Sequence, residues 1–243
     1  MTDSELAKSL AMGCRILSEQ GIIDAFGHLS ARIPGEPDLF MMNRGMSPAL
    51  AEEKDFIVCD HNGKVIRGNG HPNGEWPIHA AVYRARPDVT SVLHSHSKMS
   101  RIFSLSHRKM RGLLTSNVPE WQGGVPVYRK PGLITSMQQG EEVASTLCDN
   151  CAVLLRGHGD VVVGGSVRQT VLKAIALKQN EEVVHEVISH GGEIDLWSDE
   201  DVQKWKAPVN FKISEEAKAA LSDRVWDYYV ARATDTLPRA KKD

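Results

Sequence analysis

The 243-residue chain has no apolar run of about 18 residues, the length a membrane-crossing helix requires, so no membrane partner is expected. Its first residues, Met1-Thr2-Asp3-Ser4-Glu5, lack the basic stretch and apolar core of a secretion signal, and a cytoplasmic protein is expected. An excess of charge is missing too. There are 29 Lys and Arg against 31 Asp and Glu, a formal net charge of −2, which argues against nucleic acid as a partner. Cysteine is scarce: Cys148 and Cys151 form one Cys-x-x-Cys with no second pair to complete a zinc knuckle. That pair falls at the end of an expected helix, whereas redox motifs of this type open one, so reduced thiols are expected. No Pro/Gly/Ser-rich linker, repeat or low-complexity tract divides residues 1–243, which therefore read as one domain, with only Arg239 to Asp243 as a frayed end.

What is present is a regular alternation of helical and extended patterns. Thr2 and Glu5 can form a capping box, and Leu6, Leu10, Cys14 and Leu17 follow at helical spacing until Gly21. Short extended pieces are expected at 29–33, 39–42, 56–59 and 64–67, with a turn at Asp60-His61-Asn62-Gly63, which suggests antiparallel hairpins. A helix over 75–85 tolerates Pro77 in its first turn, and Pro87-Asp88 separates it from a strand over 89–94. An amphipathic segment after Gln138 leads into buried strands at 152–155 and 161–163. Helices over 166–190, 199–206 and 214–232 follow. The order predicts a three-layer α/β/α sandwich around a mixed, largely antiparallel sheet.

The chemistry concentrates in histidine. His94 and His96 end a strand two residues apart, so both imidazoles share a face and can converge on one ion, although paired histidines at a strand end are as often ordinary hydrogen-bonded residues. His158 lies between two glycines just after a buried strand, where the chain turns sharply and a ligand has room. Glu75 opens a helix, and a helix N-terminus favours the ionised carboxylate that a base or a metal ligand needs. Three imidazoles and a carboxylate suit zinc, manganese, iron or cobalt. His61, His71, His107, His185 and His190 have no convergent partners in the pattern and read as surface residues.

Gly74-Glu75-Trp76-Pro77-Ile78-His79, Arg86-Pro87-Asp88, His94-Ser95-His96 and Leu155-Arg156-Gly157-His158-Gly159 together resemble the motif series of the class II aldolase/adducin superfamily, over roughly residues 5–230. The resemblance implies one divalent ion per subunit (Mn2+, Zn2+ or Fe2+) held by His94, His96 and His158. It makes Glu75 a fourth ligand, the acid/base, or both. It also implies the three-layer fold and a homotetramer with active sites between subunits, where an aromatic hydroxyl of the last helix, Tyr228 or Tyr229, can cover a neighbour's site. Leu221, Val225, Tyr228 and Tyr229 also form an apolar stripe at helical spacing, the ordinary mark of packing. Adducin-like members keep the fold as scaffolds without the metal, but here the whole ligand set is present.

The substrate side departs from the sugar-phosphate members. Where they place small donors, this chain has Gly27-His28, Asn43-Arg44-Gly45-Met46-Ser47 and Asn73-Gly74. Asn43, Arg44, Ser47 and Gly74 are therefore candidates for binding a small carboxylate, with Arg44 as a bidentate partner and His28 as a catalytic donor or acceptor. Arg44 can equally pair with an acidic neighbour in its loop. The Asn43 to Ser47 stretch is similar to the branch of metal-dependent decarboxylases acting on hydroxypyridine and hydroxybenzene dicarboxylates, which includes 3-hydroxy-2-methylpyridine-4,5-dicarboxylate decarboxylase. The expectation is thus a carbon–carbon lyase that decarboxylates a hydroxy-aromatic or hydroxypyridine carboxylate, since a metal-bound oxygen can hold the electrons left behind as an enolate. Aldol cleavage of a non-phosphorylated hydroxy or oxo acid, a metal-using oxygenase and an inert scaffold are the alternatives.

Overall fold

Thr2 caps the first helix as its spacing predicts: its Oγ1 accepts the Glu5 amide at 3.3 Å, and Glu5 Oε2 accepts the Thr2 amide at 2.7 Å. This is a computed structural model that describes residues 1–114, 118–206 and 215–235. Helix α1 (Asp3–Glu19) ends before Gly21, whose φ of +64° reverses the chain. Strands β1 (His28–Ile33), β2 (Glu36–Asn43), β3 (Phe56–Asp60) and β4 (Val65–Arg67) then form successive antiparallel hairpins. Helix α2 (Trp76–Ala85) leads to β5 (Ser91–Ser95), which starts two residues later than the apolar pattern suggests because Val89 still closes the turn onto the Arg86 carbonyl.

Three elements that the pattern did not show come next: α3 (Lys98–Leu105), the single turn α4 (Val118–Trp121) and β6 (Val127–Tyr128). They are followed by α5 (Met137–Leu147), β7 (Ala152–Leu155), β8 (Gly159–Gly164), α6 (Val167–Ser189), α7 (Asp199–Lys206) and α8 (Glu215–Asp235). Ser214 and the tail from Arg239 to Asp243 lie outside the described residues. All four cysteines are free thiols, and Cys148 caps the C-terminus of α5 at a φ of +48°. No helix is long and apolar enough to cross a membrane, among the described residues.

The eight strands form one sheet in the order β4-β3-β2-β1-β5-β8-β7-β6, antiparallel throughout except for the last pair. Alternation splits each strand between two cores. Leu29, Ala31, Met41, Val58, Leu93, Leu154 and Val162 face the layer of α1, α3 and α6, on which α8 also rests. Phe40, Met42, Ile57, Val92, Val153, Val161 and Val163 face α2 and α5. Burying both faces of a sheet is what gives the near-continuous apolar runs at 152–155 and 161–163. The observed architecture is the three-layer sandwich expected from the order of elements.

In that sheet β1, β5 and β8 are central neighbours. His28 pairs with His94, and Ser95 pairs with Asp160, so the start of β1, the end of β5 and the start of β8 lie together at one end of the sheet. His96 and His158 sit just beyond those strand ends.

Candidate metal centre

Registry brings four side chains together. His94 Nε2 lies 3.2 Å from His96 Nε2, which lies 3.1 Å from His158 Nε2. Glu75 Oε2 is 3.4 Å from both His94 Nε2 and His158 Nε2, and the four ligand atoms all fall within 4.8 Å of one another. Glu75 is the N-cap residue of α2, but its carboxylate does not cap its own helix. Instead the Ile134 amide donates to Oε1 at 2.8 Å, which leaves Oε2 for the histidines.

The tautomers say what this arrangement needs. His94 Nδ1 faces the Asp160 carbonyl at 2.8 Å, and a carbonyl only accepts, so the imidazole hydrogen belongs on Nδ1 and a bare lone pair remains on Nε2. That lone pair meets a carboxylate oxygen and another imidazole nitrogen. Acceptor facing acceptor in a buried place is unfavourable by about 1–3 kcal/mol per unmet group unless a proton or a cation sits between them. Protonation is opposed: burial, then the neighbouring His94 and His158, push the His96 imidazole down to about 4. Burial alone would raise the Glu75 carboxyl, but the contacts with His158 and His94 and the Ile134 amide outweigh it and hold the group far below the usual carboxylate range. An anionic oxygen and three converging imidazole nitrogens, that of His94 oriented by the Asp160 carbonyl, fit a divalent cation of borderline hardness.

The two glycines beside His158 serve the backbone and do not make room for a ligand. Gly157 turns the β7–β8 connection at a φ of +66°, and a Cβ on Gly159 would lie only 1.8 Å from the Ser95 carbonyl oxygen. This close passage of β8 against β5 is what sets His158 beside His96.

His28 is buried next to the cluster, its ring centroid 5.0 Å from that of His94. Behind it runs an unbroken polar chain. His28 Nδ1 meets His79 Nε2 at 2.5 Å, His79 Nδ1 meets Ser30 Oγ at 2.6 Å, and Ser30 Oγ meets the Tyr83 hydroxyl at 2.7 Å. His28 Nε2 is buried with no hydrogen-bond partner among the described residues. If each link donates from Tyr83 toward His28, every acceptor is satisfied and His28 Nε2 carries a hydrogen to offer. Burial, then His79 and His94, hold the His28 imidazole well below its usual range, so it stays neutral. His79 lies within the motif read from sequence, four residues after Glu75, but spacing assigned it no role. The i to i+4 step of α2, which sets both residues over one face, was the available signal.

The other expected binding residues have partners inside the chain. Asn43 Oδ1 accepts the Leu29 amide at 3.4 Å, and its Nδ2 donates to the Arg44 and Met46 carbonyls. Ser47 donates to the Asp24 carbonyl at 2.9 Å. Arg44 Nη2 and Nε lie 2.9 and 3.0 Å from Asp55 Oδ1, the loop pairing that stood as the alternative to substrate binding. Through these contacts Asn43 and Ser47 shape the loop that carries Arg44. Gly74 is exposed, with open space where a side chain would be.

Tyr228 is not brought to the cluster of its own chain. It is 56% exposed on α8, with the Arg232 guanidinium 5.9 Å from its ring centroid. The packed face of that helix is Trp226, Tyr229, Val230 and Ala233, which corrects the stripe expected through Val225 and Tyr228; the side chain of Leu221 lies outside the described residues. His61 also departs from expectation, since it is half-buried with its ring 6.3 Å from that of Tyr83. A residue that spacing did not flag at all is Phe26, an exposed ring centred 5.8 Å from the His96 ring.

Comparison with known proteins agrees with the fold. Residues 8–184 match the profile of the class II aldolase and adducin N-terminal domain. A 3,4-dihydroxyphthalate decarboxylase of Arthrobacter keyseri is 32% identical over 83% of this chain and 86% of its own length. One from Rhodococcus jostii (strain RHA1) is 30% identical over 96% of this chain and 98% of its own length. The crystal structure of an aldolase II superfamily protein from Pseudomonas syringae superposes with a TM-score of 0.80 at 22% identity, covering 96% of this chain and 94% of that one. The motif series, the eight-stranded sheet and these matches lead to one assignment: the chain belongs to the class II aldolase and adducin family.

Proposed function

We propose that the protein is a divalent-metal-dependent carbon–carbon lyase that decarboxylates a hydroxy-aromatic carboxylate. The observation that carries the proposal is the convergence of His94, His96 and His158 Nε2 with Glu75 Oε2, each ligand atom within 4.8 Å of the others. The choice of decarboxylation is supported by the two relatives named for 3,4-dihydroxyphthalate, a hydroxybenzene dicarboxylate.

His94, His96, His158 and Glu75 would hold the ion. When bound, a divalent cation supplies Lewis acidity, lowering the pKa of a chelated hydroxyl and accepting the charge that carbon–carbon cleavage leaves. The protein's part is to orient and to move a proton. His28, kept neutral and fixed in tautomer by His79, offers Nε2–H to a substrate oxygen. Arg44, steadied by Asp55 and with a side chain 41% exposed, presents its cationic face to the carboxylate that is retained. The bond from ring carbon to carboxylate breaks, carbon dioxide leaves with the electron pair remaining on the ring, and a proton replaces the lost group. Water held by Glu75 delivers that proton, the carboxylate itself being ionised and kept in place by the Ile134 amide on Oε1.

The experiment is carbon dioxide release from 3,4-dihydroxyphthalate and a panel of hydroxybenzene and hydroxypyridine dicarboxylates. Protein loaded with manganese, zinc or ferrous iron is compared with His94→Ala. Release that needs both the metal and His94 is the expected result. No release from any of these acids, with an aldehyde formed from a non-phosphorylated hydroxy acid, would replace decarboxylation by aldol cleavage.

A further inference from the structure

We propose that Phe26 determines specificity at this site, stacking on the aromatic ring of the substrate; the inference rests on the decarboxylase reading and names the face that the substrate ring must meet. Phe26 is 65% exposed, and what makes an exposed ring informative here is its place beside the cluster. Its ring lies 5.8 Å from that of His96 with the planes tilted by 35°, so it borders the cluster directly.

The loop that carries it is held on three sides. Asp24 Oδ1 accepts the Phe26 amide at 2.9 Å, and the Phe26 carbonyl accepts the Asp24 amide at 3.3 Å. Ser47 clips the Asp24 carbonyl at 2.9 Å, which gives the serine expected to touch substrate a different task, the bracing of this loop. Gly27, at a φ of +98°, lies so close to the His94 backbone that a Cβ there would come within 3.0 Å of its carbonyl oxygen. The exposed ring is therefore pre-placed, with little ordering left to be done on binding.

The surroundings continue the apolar character. Leu105, beside Gly157, and Leu133, next to the residue whose amide holds Glu75, are also exposed. A polar, cation-shaped floor with an apolar lip fits a flat ligand whose edge carries oxygens and whose face is a π-system. Aromatic pairs are favourable at centroid separations of about 4.5–7 Å, whereas an aliphatic hydroxy acid has no such face.

The test is calorimetric titration of manganese-loaded protein with 3,4-dihydroxybenzoate and with tartronate, an aliphatic hydroxy dicarboxylate. Phe26→Ala should weaken the aromatic probe by about three- to tenfold while tartronate affinity and bound manganese stay as in the parent; Phe26→Tyr should restore the aromatic affinity. Unchanged aromatic affinity in Phe26→Ala overturns the inference alone. Weakening of both probes together with a fall in sedimented mass also overturns it, because Phe26 would then be an interface residue. Parent protein that binds tartronate but not the aromatic probe sinks the hydroxy-aromatic reading, and this inference with it.

Discussion

At the scale of single residues, the site depends on hydrogen bonds that hold imidazoles neutral and aimed. His79 shows this most clearly, because its two nitrogens join Ser30 to His28, and His28 Nδ1 has no second partner among the described residues. His79→Ala would leave the buried His28 Nδ1 unmet, a loss of about 1–3 kcal/mol that urea denaturation would register. His79→Gln keeps a donor and an acceptor and should recover much of it. The pH dependence follows with a definite sign. Burial, then His94, pushes the His79 imidazole down to about 3, while in the unfolded chain it titrates near its ordinary value of about 6.5. Between those values the unfolded state binds more protons, so stability rises with pH and is lost as pH falls from about 6.5 toward 3. Chelator-treated protein should show this acid loss in thermal melts, and His79→Gln should show a shallower one; equal slopes would mean that His79 titrates normally in the fold. Nothing in the spacing of His28, Ser30, His79 and Tyr83 announces this chain, since its links span about fifty residues and exist only once β1 has met α2. The candidate ligands His94 and His96 were legible because strand alternation places them together before any tertiary contact is known.

At the scale of elements, helix and strand positions followed the periodicity, and the misses share a cause. Helix α3 is short and half of its buried face is serine: beside Met99 and Phe103, Ser100 donates to both oxygens of Glu181 on α6, and Ser104 donates to the Arg101 carbonyl. Its 8 residues fall short of the window of about 11–18 over which helical periodicity is read. β6 has two residues and owes its existence to β7. The contact that matters most to the site is the crossing of α2 and α5. A Cβ at Gly140 of α5 would lie 2.4 Å from the Pro77 carbonyl oxygen and 3.1 Å from Ala81 Cβ, so the helices touch through the missing side chain. Gly140→Ala gains about 1 kcal/mol in helix propensity, but it collides with backbone, which cannot change rotamer, and overpacking costs about 1–3 kcal/mol. The net effect should be destabilising, and the displacement falls two residues from Glu75. Denaturant midpoint and manganese affinity should both drop in Gly140→Ala and stay unchanged in Gly123→Ala, whose added Cβ meets open space. A loss of stability with full metal affinity would show that Glu75 is positioned by the Ile134 amide alone.

At the scale of the whole molecule, the placing of α8 frames a prediction about a second chain. The cluster lies at the ends of β1, β5 and β8, with Glu75 supplied by α2. Tyr228 instead rides on α8, whose contacts run to α1 and α6: Arg232 to Glu19, Arg168 to Asp223 and Gln179 to Tyr229. Among the described residues no contact joins Tyr228 to the cluster of its own chain, and the prediction is that its hydroxyl acts at a neighbour's site. Closed symmetric assemblies make such sharing reciprocal, each subunit giving what it receives. Two inactive variants then become informative together. His94→Ala keeps its tyrosine and lacks the metal; Tyr228→Phe keeps the metal and lacks the hydroxyl. If sites are composite, subunits mixed in equal amounts, dissociated and reassembled should regain about a quarter of the parent turnover, because half the sites carry an intact cluster and half of those face an intact tyrosine. A Tyr228→Phe variant that turns over at the parent rate, or a mixture no more active than its parts, would confine catalysis to one chain. The first measurement is the sedimented mass of the metal-loaded protein, since the exposed side of α8 can serve a neighbour only in an assembly, and a monomer that releases carbon dioxide at full rate would dispose of the shared site.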